Sequence, residues 1–243
     1  MSKYVDIHNH ILPGLDDGPR TMNEAVMLAL AMVAADYDTV IATPHTFEGR
    51  PAPALIDESL QELQEELKRQ KVPLTILPGS EPHIEPGIPA LLEKGALQTL
   101  NNTRYFFIEL PFSQPLPPYT EQLIFELTAK GYQPIITHPE RAEALQKDPD
   151  LIHRLHRSGA LFQLTWGALN GWLGPEAEKT ARYLITANLA HLFATDAHNA
   201  ASRLLTVKKS AAILDQLTTP GTATQQLTTR PHLLRENQPF HLT

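Results

Sequence analysis

The sequence predicts an α/β fold made of repeated strand–helix units with parallel strands. Two observations carry this expectation. Seven short apolar runs lie mostly about thirty residues apart along the 243-residue chain, and stretches of helical periodicity separate them. Right-handed crossovers would close such units into a barrel or wind them into an open doubly wound sheet. A seven-stranded (β/α)7 barrel is the preferred arrangement, and 243 residues suit a single barrel domain over 1–243.

The first run is Tyr4 to His8, and a helix is expected from about Met22. Thr21 and Glu24 have the spacing of a capping box, and Ala25, Leu28, Ala29, Met32 and Val33 recur at helical spacing behind it. The second run is Thr39–Thr43. A charged helix follows from about Pro53 to Gln70, with Leu60, Leu63 and Leu67 as its buried stripe. The remaining runs are Leu74–Leu77, Tyr105–Ile108, Pro134–Thr137, Ala160–Leu164 and His191–Ala194. Many of the 21 prolines sit just after apolar runs, as in loops trimmed at strand ends. From about Thr218 the periodicity fades, and an irregular C-terminal extension packed on the barrel is expected.

Composition excludes several chemistries. There is no cysteine, so disulfides, thiolate-held zinc and a cysteine nucleophile are ruled out. The formal net charge is -7 and no Lys/Arg block stands out, which speaks against nucleic acid as a partner. No apolar stretch of signal-peptide or membrane-spanning length occurs, so a cytoplasmic location with no membrane insertion is expected.

Six of the seven runs deliver an imidazole or a carboxylate at the same end: His8 and His10 with Asp16 and Asp17, then His45, Glu81, Glu109, His138 with Arg141, and Asp196 with His198. In α/β barrels that end is where active sites form. Residues i and i+2 of an extended chain point to the same side, so His8 and His10 can reach one ion. Each residue alone has a plainer explanation. A lone strand-end His is usually hydrogen-bonded, and Asp16, Asp17 or Asp196 can cap a helix. Together they form a set of carboxylates that would repel one another without cations, which favours a site for zinc, manganese or iron. The other histidines, His83, His153, His156, His191, His232 and His241, are read as ordinary structural or surface residues.

The motifs V-D-I-H-N-H-I-L-P-G-L-D-D-G-P (5–19), A-T-P-H (42–45), P-G-S-E (78–81), I-E-L-P (108–111), T-H-P-E-R (137–141) and T-D-A-H-N (195–199) resemble the polymerase-and-histidinol-phosphatase (PHP) superfamily. Within it they are similar to the bacterial manganese-dependent tyrosine-protein phosphatases of capsule and exopolysaccharide operons. The resemblance covers roughly residues 4 to 215. It implies a distorted seven-stranded barrel with two or three divalent metal ions, manganese or else iron or zinc. By motif, His8, His10, Glu81 and Asp196 would bind the first ion, and Glu81 would bridge to a second held by Glu109 and His138. Asp16, His45 and His198 would bind the third, while Asp17 is left without a role beyond capping.

The resemblance makes Arg141, Arg203, His138 and Asp196 catalytic, with the two arginines on the substrate phosphate; Arg203 can also be a plain surface residue. Phe47, Phe112 and Trp166 are candidate walls of a tyrosine pocket. The implied reaction is hydrolysis of phosphotyrosine by a metal-activated water, on a bacterial tyrosine kinase or a related protein of capsule synthesis. The alternatives are a phosphatase or phosphodiesterase for a small phosphate ester, and a non-catalytic kinase-binding module. Ser80 and Asn9 depart only slightly from the motif pattern, whereas the tail beyond Thr218 resembles the family little.

Overall fold

The structure, a computed structural model, describes residues 3–201 and 203–239. All seven expected strands are present. They are β1 (Tyr4–Asn9), β2 (Tyr37–Ala42), β4 (Thr75–Pro78), β6 (Tyr105–Ile108), β7 (Gln133–Thr137), β8 (Leu161–Thr165) and β9 (Leu192–Ala194). Two strands of two residues each were not expected: β3 (His45–Thr46) after β2, and β5 (Glu81–Pro82) after β4.

Every pairing between these strands is parallel, but they form three separate sheets rather than one continuous sheet: β1-β2-β4, β3-β5 and β6-β7-β8-β9. Proline explains the break between the first two. Pro44 follows β2 and Pro78 ends β4, and neither has an N–H to donate to a ladder. Two isolated parallel bridges join the remaining edges. Asn9 pairs with Ala197, where the N–H of Asp196 donates to the His8 carbonyl at 2.9 Å. His83 pairs with Glu109, whose N–H donates to the Pro82 carbonyl at 2.8 Å.

The helices lie between the strands as the periodicity requires. In α1 (Met22–Ala34) Thr21 accepts from the N–H of Glu24, while Glu24 caps the N–H of Arg20 rather than that of Thr21. In α2 (Pro53–Arg69) Ile56, Leu63 and Leu67 are buried. The other helices are α3 (Ile88–Glu93), α4 (Thr120–Ala129), α5 (Glu143–Lys147), α6 (Pro149–Arg157), α7 (Pro175–Thr186), α8 (Val207–Leu217), α9 (Thr222–Leu227) and α10 (Thr229–Arg235).

The last two correct the expectation of an irregular tail. Short as they are, they bury Leu227 and Leu234, and Nη1 of Arg230 donates to the His191 carbonyl at 2.9 Å, just before β9. Tertiary packing, not periodicity, makes them helical.

Side chains alternate along the strands and divide the interior into two cores. Phe106, Ile108, Ile136, Phe162, Leu164 and Phe193 join the large core shared with the helices. Tyr105, Phe107, Ile135, Leu192 and Ala194, with Val5, Ile7, Ile41 and Leu234, form a separate small core. Phe107 of that small core lies against His8, with ring centroids 4.9 Å apart. Among the described residues, no helix is long and apolar enough to cross a membrane.

Candidate metal centre

Gln163 fixes the first imidazole. Its amide nitrogen donates to the Leu164 carbonyl at 2.8 Å, so its Oε1 faces Nδ1 of His8 at 2.7 Å. The proton therefore sits on Nδ1, and Nε2 presents a lone pair. Asp16 does the same for the second ring, with Oδ2 2.6 Å from Nδ1 of His10. The two Nε2 atoms lie 3.2 Å apart. Glu81 Oε2 stands 3.1 and 3.4 Å from them, and Asp196 Oδ1 3.5 and 3.3 Å. Two imidazole lone pairs and two carboxylate oxygens thus crowd around a common point, all four side chains being buried. Only a cation or extra protons can hold such a set together.

Further donors adjoin it. His138 Nε2 is 2.9 Å from Glu81 Oε1 and 3.5 Å from Glu109 Oε1. His198 Nε2 is 3.1 Å from Asp17 Oδ1, and His45 Nε2 is 3.6 Å from the same oxygen. The geometry groups His8, His10 and Glu81; Glu81, Glu109 and His138; and His10, Asp17, His45 and His198 as sets able to hold an ion. Glu81 Oε2 and Glu109 Oε2 are buried and make no well-aligned hydrogen bond despite the nearby imidazoles, which suits coordination to a cation. Hard carboxylate oxygens mixed with imidazole nitrogens and no thiolate fit manganese, iron or zinc.

Protonation follows the same logic. Burial pushes His8 and His10 down, yet the carboxylates of Glu81, Asp196 and Asp16 outweigh it, so both rings titrate above the usual imidazole range. Burial would raise Glu81 and Asp196, but His8 and the neighbouring rings hold both carboxyls well below the usual range. A metal ion would compete with protons for the Nε2 atoms of both rings.

The backbone is shaped for this. His138 and Asp196 have φ of 30° and 53°, a left-handed turn immediately after β7 and soon after β9. Asp6, buried in β1, accepts from the N–H and hydroxyl of Thr195 at 2.9 and 2.6 Å and from the Asn9 amide at 3.0 Å. That clamp ties β1, which carries His8 and His10, to the turn carrying Asp196. Gly18 must be glycine, because a Cβ there would lie 2.1 Å from the His10 carbonyl oxygen. At the rim, Nη1 of Arg141 is 3.6 Å from Asp196 Oδ2, and Nη1 of Arg203 contacts the same oxygen.

The family model described as capsular polysaccharide synthesis, CpsB/CapC, matches residues 4–234. The chain belongs to the CpsB/CapC family. It is 38% identical over 214 residues to the tyrosine-protein phosphatase YwqE of Bacillus subtilis, which spans 87% of this chain and 84% of that one. It is 28% identical over 206 residues to the tyrosine-protein phosphatase CpsB of Streptococcus pneumoniae, spanning 82% and 84%.

A crystal structure from a study of YwqE and CpsB, described there as metal-dependent tyrosine phosphatases, superposes with a TM-score of 0.92 at 36% identity. The match covers 98% of this chain and 97% of that one. Histidinol phosphate phosphatase of Lactococcus lactis has a TM-score of 0.58 at 10% identity, over 89% of this chain and 94% of that one, and shares the fold.

In this CpsB/CapC chain, the geometry brings His8, His10, His45, Glu81, Glu109, His138, Asp196 and His198 together. Asp16 behaves differently. Its Oδ2 is taken by His10 and by the N–H of His45 at 3.2 Å, and its Oδ1 accepts from Gly18 N–H at 2.9 Å. Asp17 stands among His45 and His198 instead, and the cap of α1 is Thr21, not Asp17.

Trp166 is no pocket wall. It is 1% exposed and packs on Phe193 at 4.7 Å between centroids. Phe47 and Phe112 are exposed at the rim. Sequence reasoning missed Gln163, which carries no charge and lies in the one strand without a His or carboxylate at its end. Its signal was an amide inside an apolar strand.

His83, set aside in the sequence, stands with His45 and Glu109 in a further set able to hold an ion, its Nδ1 2.9 Å from Glu109 Oε2. His153 meets the Tyr183 hydroxyl at 2.8 Å, and Nδ1 of His156 donates to the Ala160 carbonyl at 3.0 Å. His191 is buried, His232 lies beside Arg235, and His241 falls outside the described residues.

Proposed function

We propose that this chain is a metal-dependent phosphotyrosine-protein phosphatase of the bacterial cytoplasm. The observation that carries the reading is the cage of His8 Nε2, His10 Nε2, Glu81 Oε2 and Asp196 Oδ1, with two arginines reaching Asp196 from the rim. The proposed metal is manganese, two or three ions per chain. His8, His10, Glu81 and Asp196 would hold the first, and Glu81, Glu109 and His138 the second. Asp17, His45 and His198 would hold the third, with Asp16 orienting His10 rather than binding metal. Such ions, when bound, supply Lewis acidity toward the phosphoryl oxygens and make a water nucleophilic near neutral pH.

The protein's own part is to bind and orient. Arg141 and Arg203 present planar forks that match two phosphate oxygens, and Asp196 aims both. Gln163, Asp16 and the Asp6 clamp keep the rings and turns in place.

The proposed substrate is a phosphotyrosine protein of capsule synthesis, such as a bacterial tyrosine kinase; the names of the relatives and the family description support this. The bridges at Asn9–Ala197 and His83–Glu109, together with the small inner core, support a closed, distorted seven-stranded barrel in one domain. Chelation should abolish hydrolysis of a phosphotyrosine peptide and manganese should restore it. Full activity in protein stripped of metal would overturn the proposal.

A further inference from the structure

We propose that Trp172 and Phe112 form an aryl-binding slot at the rim, so that selectivity for an aryl over an alkyl phosphate is set there and not at the metal cluster. The proposal rests on the phosphatase reading above and adds where the leaving group is recognised.

Both rim arginines are paired twice. Each reaches Asp196 Oδ2, and each lies over an exposed aromatic ring: Arg141 Cζ is 4.1 Å from the Phe112 centroid, and Arg203 Cζ is 5.7 Å from that of Trp172. Both distances lie within cation–π range. The rings are therefore tied, through their guanidinium groups, to one carboxylate oxygen. A phosphoryl group between the guanidiniums would project its ester substituent among the rings. A planar aryl group can stack there; a methyl group is too small to do so.

The two rings are also held for the task. Trp172 is 46% exposed, whereas Trp166 is core. Even so, Trp172 is not loose. Its backbone N–H donates to Asn170 Oδ1 and the Gly167 carbonyl, both at 3.1 Å, after Gly171 at φ 78°. Its ring lies against Gly167, where a Cβ would approach Cε3 to 3.1 Å. Phe112 is 36% exposed, and its ring centroid is 5.3 Å from that of His138. Its carbonyl accepts from Glu143 N–H at 2.7 Å, and its ring lines a cleft of about 390 Å³ beside Glu109 and His83. Rings fixed before binding lose little freedom when a ligand stacks on them.

The test uses manganese-loaded full-length protein and two non-hydrolysable probes, phenylphosphonate and methylphosphonate, titrated by calorimetry. The wild type should prefer phenylphosphonate. Trp172→Ala should weaken phenylphosphonate roughly tenfold more than methylphosphonate, the scale of a lost ring contact, and Trp172→Phe should recover most of that difference. In Trp166→Phe protein, phenylphosphonate should change the intensity or wavelength of the remaining tryptophan emission and methylphosphonate should not, a readout that needs no rim substitution. Equal weakening of both probes by Trp172→Ala would mean that the ring serves only Arg203 and would overturn the slot. So would no preference in the wild type, or no change in that emission. Failure of the phosphatase reading would look different, as an absence of manganese-dependent turnover in a protein that still binds phenylphosphonate.

Discussion

His45 and Glu81 are direct partners in the two-residue parallel ladder of β3 and β5, which leaves His45 Nδ1 3.1 Å from Glu81 Oε2. Pairing thus continues past the strand ends into the cluster itself. His83 and Glu109 repeat the device one strand further on.

If these side chains are held together by cations, metal should stabilise the fold as well as activate it. A ligand at a thousand times its Kd contributes about 4 kcal/mol. At roughly 2–4 °C per kcal/mol for a chain of this size, scanning calorimetry should show chelated protein melting about 8–16 °C below manganese-loaded protein. Identical melting curves would sink the metal centre.

The adjacent aspartates should part company. Asp17→Asn should lower the number of manganese ions retained per chain, because Asp17 is a member of the rim group with His45 and His198. Asp16→Asn should keep the ion count at saturation while weakening affinity roughly 10–100-fold, as loss of an orienting carboxylate does. Elemental analysis after gel filtration, with a titration beside it, separates the two, and the reverse pattern would restore Asp16 as the ligand.

Gln163→Leu keeps the bulk but leaves His8 Nδ1 with no acceptor. Manganese affinity should fall roughly 10–100-fold, and Gln163→Glu, which can still accept from Nδ1–H, should retain more of it. Equal affinities in both variants would show that His8 orients itself.

His191 gives a pH dependence away from the cluster. Burial, with His156 and Arg230 adding to it, lowers its pKa to about 3. Between there and an unfolded value of about 6.5, the unfolded chain binds a proton that the folded chain refuses. This group therefore makes stability fall as pH drops, by up to roughly 1.4 kcal/mol per pH unit inside that window. His191→Asn keeps an acceptor for the Phe162 N–H, which now bonds Nδ1 at 3.1 Å. Urea unfolding of the variant between pH 4 and 6 should show a shallower slope than the wild type; parallel slopes would remove His191 as the cause.

Much of this was readable in the residues, because apolar periodicity and the strand-end His and carboxylate residues are local signals. Tyr105–Ile108 matches its strand residue for residue. What escaped reading depends on which neighbour a side chain meets. Asp16 and Asp17 are adjacent and chemically identical, and only the turn around Gly18 aims one at His10 and the other at His198. Gln163 is neutral, so no charge pattern marks it. Trp166 and Trp172 flank one turn, and tertiary packing alone decides that the first is core and the second rim. The strands β3 and β5 are too short for any period to show.

The left-handed backbone at Asp196 limits how the enzyme can be silenced without being broken. Most replacements would strain a turn at φ 53°, but asparagine visits that region more readily than other residues with a side chain. Asp196→Asn would therefore strip the charge while keeping the loop, and both arginines would be released from their carboxylate. Such a protein would separate the loss of that charge, and of the aim it gives Arg141 and Arg203, from any loss of the turn itself.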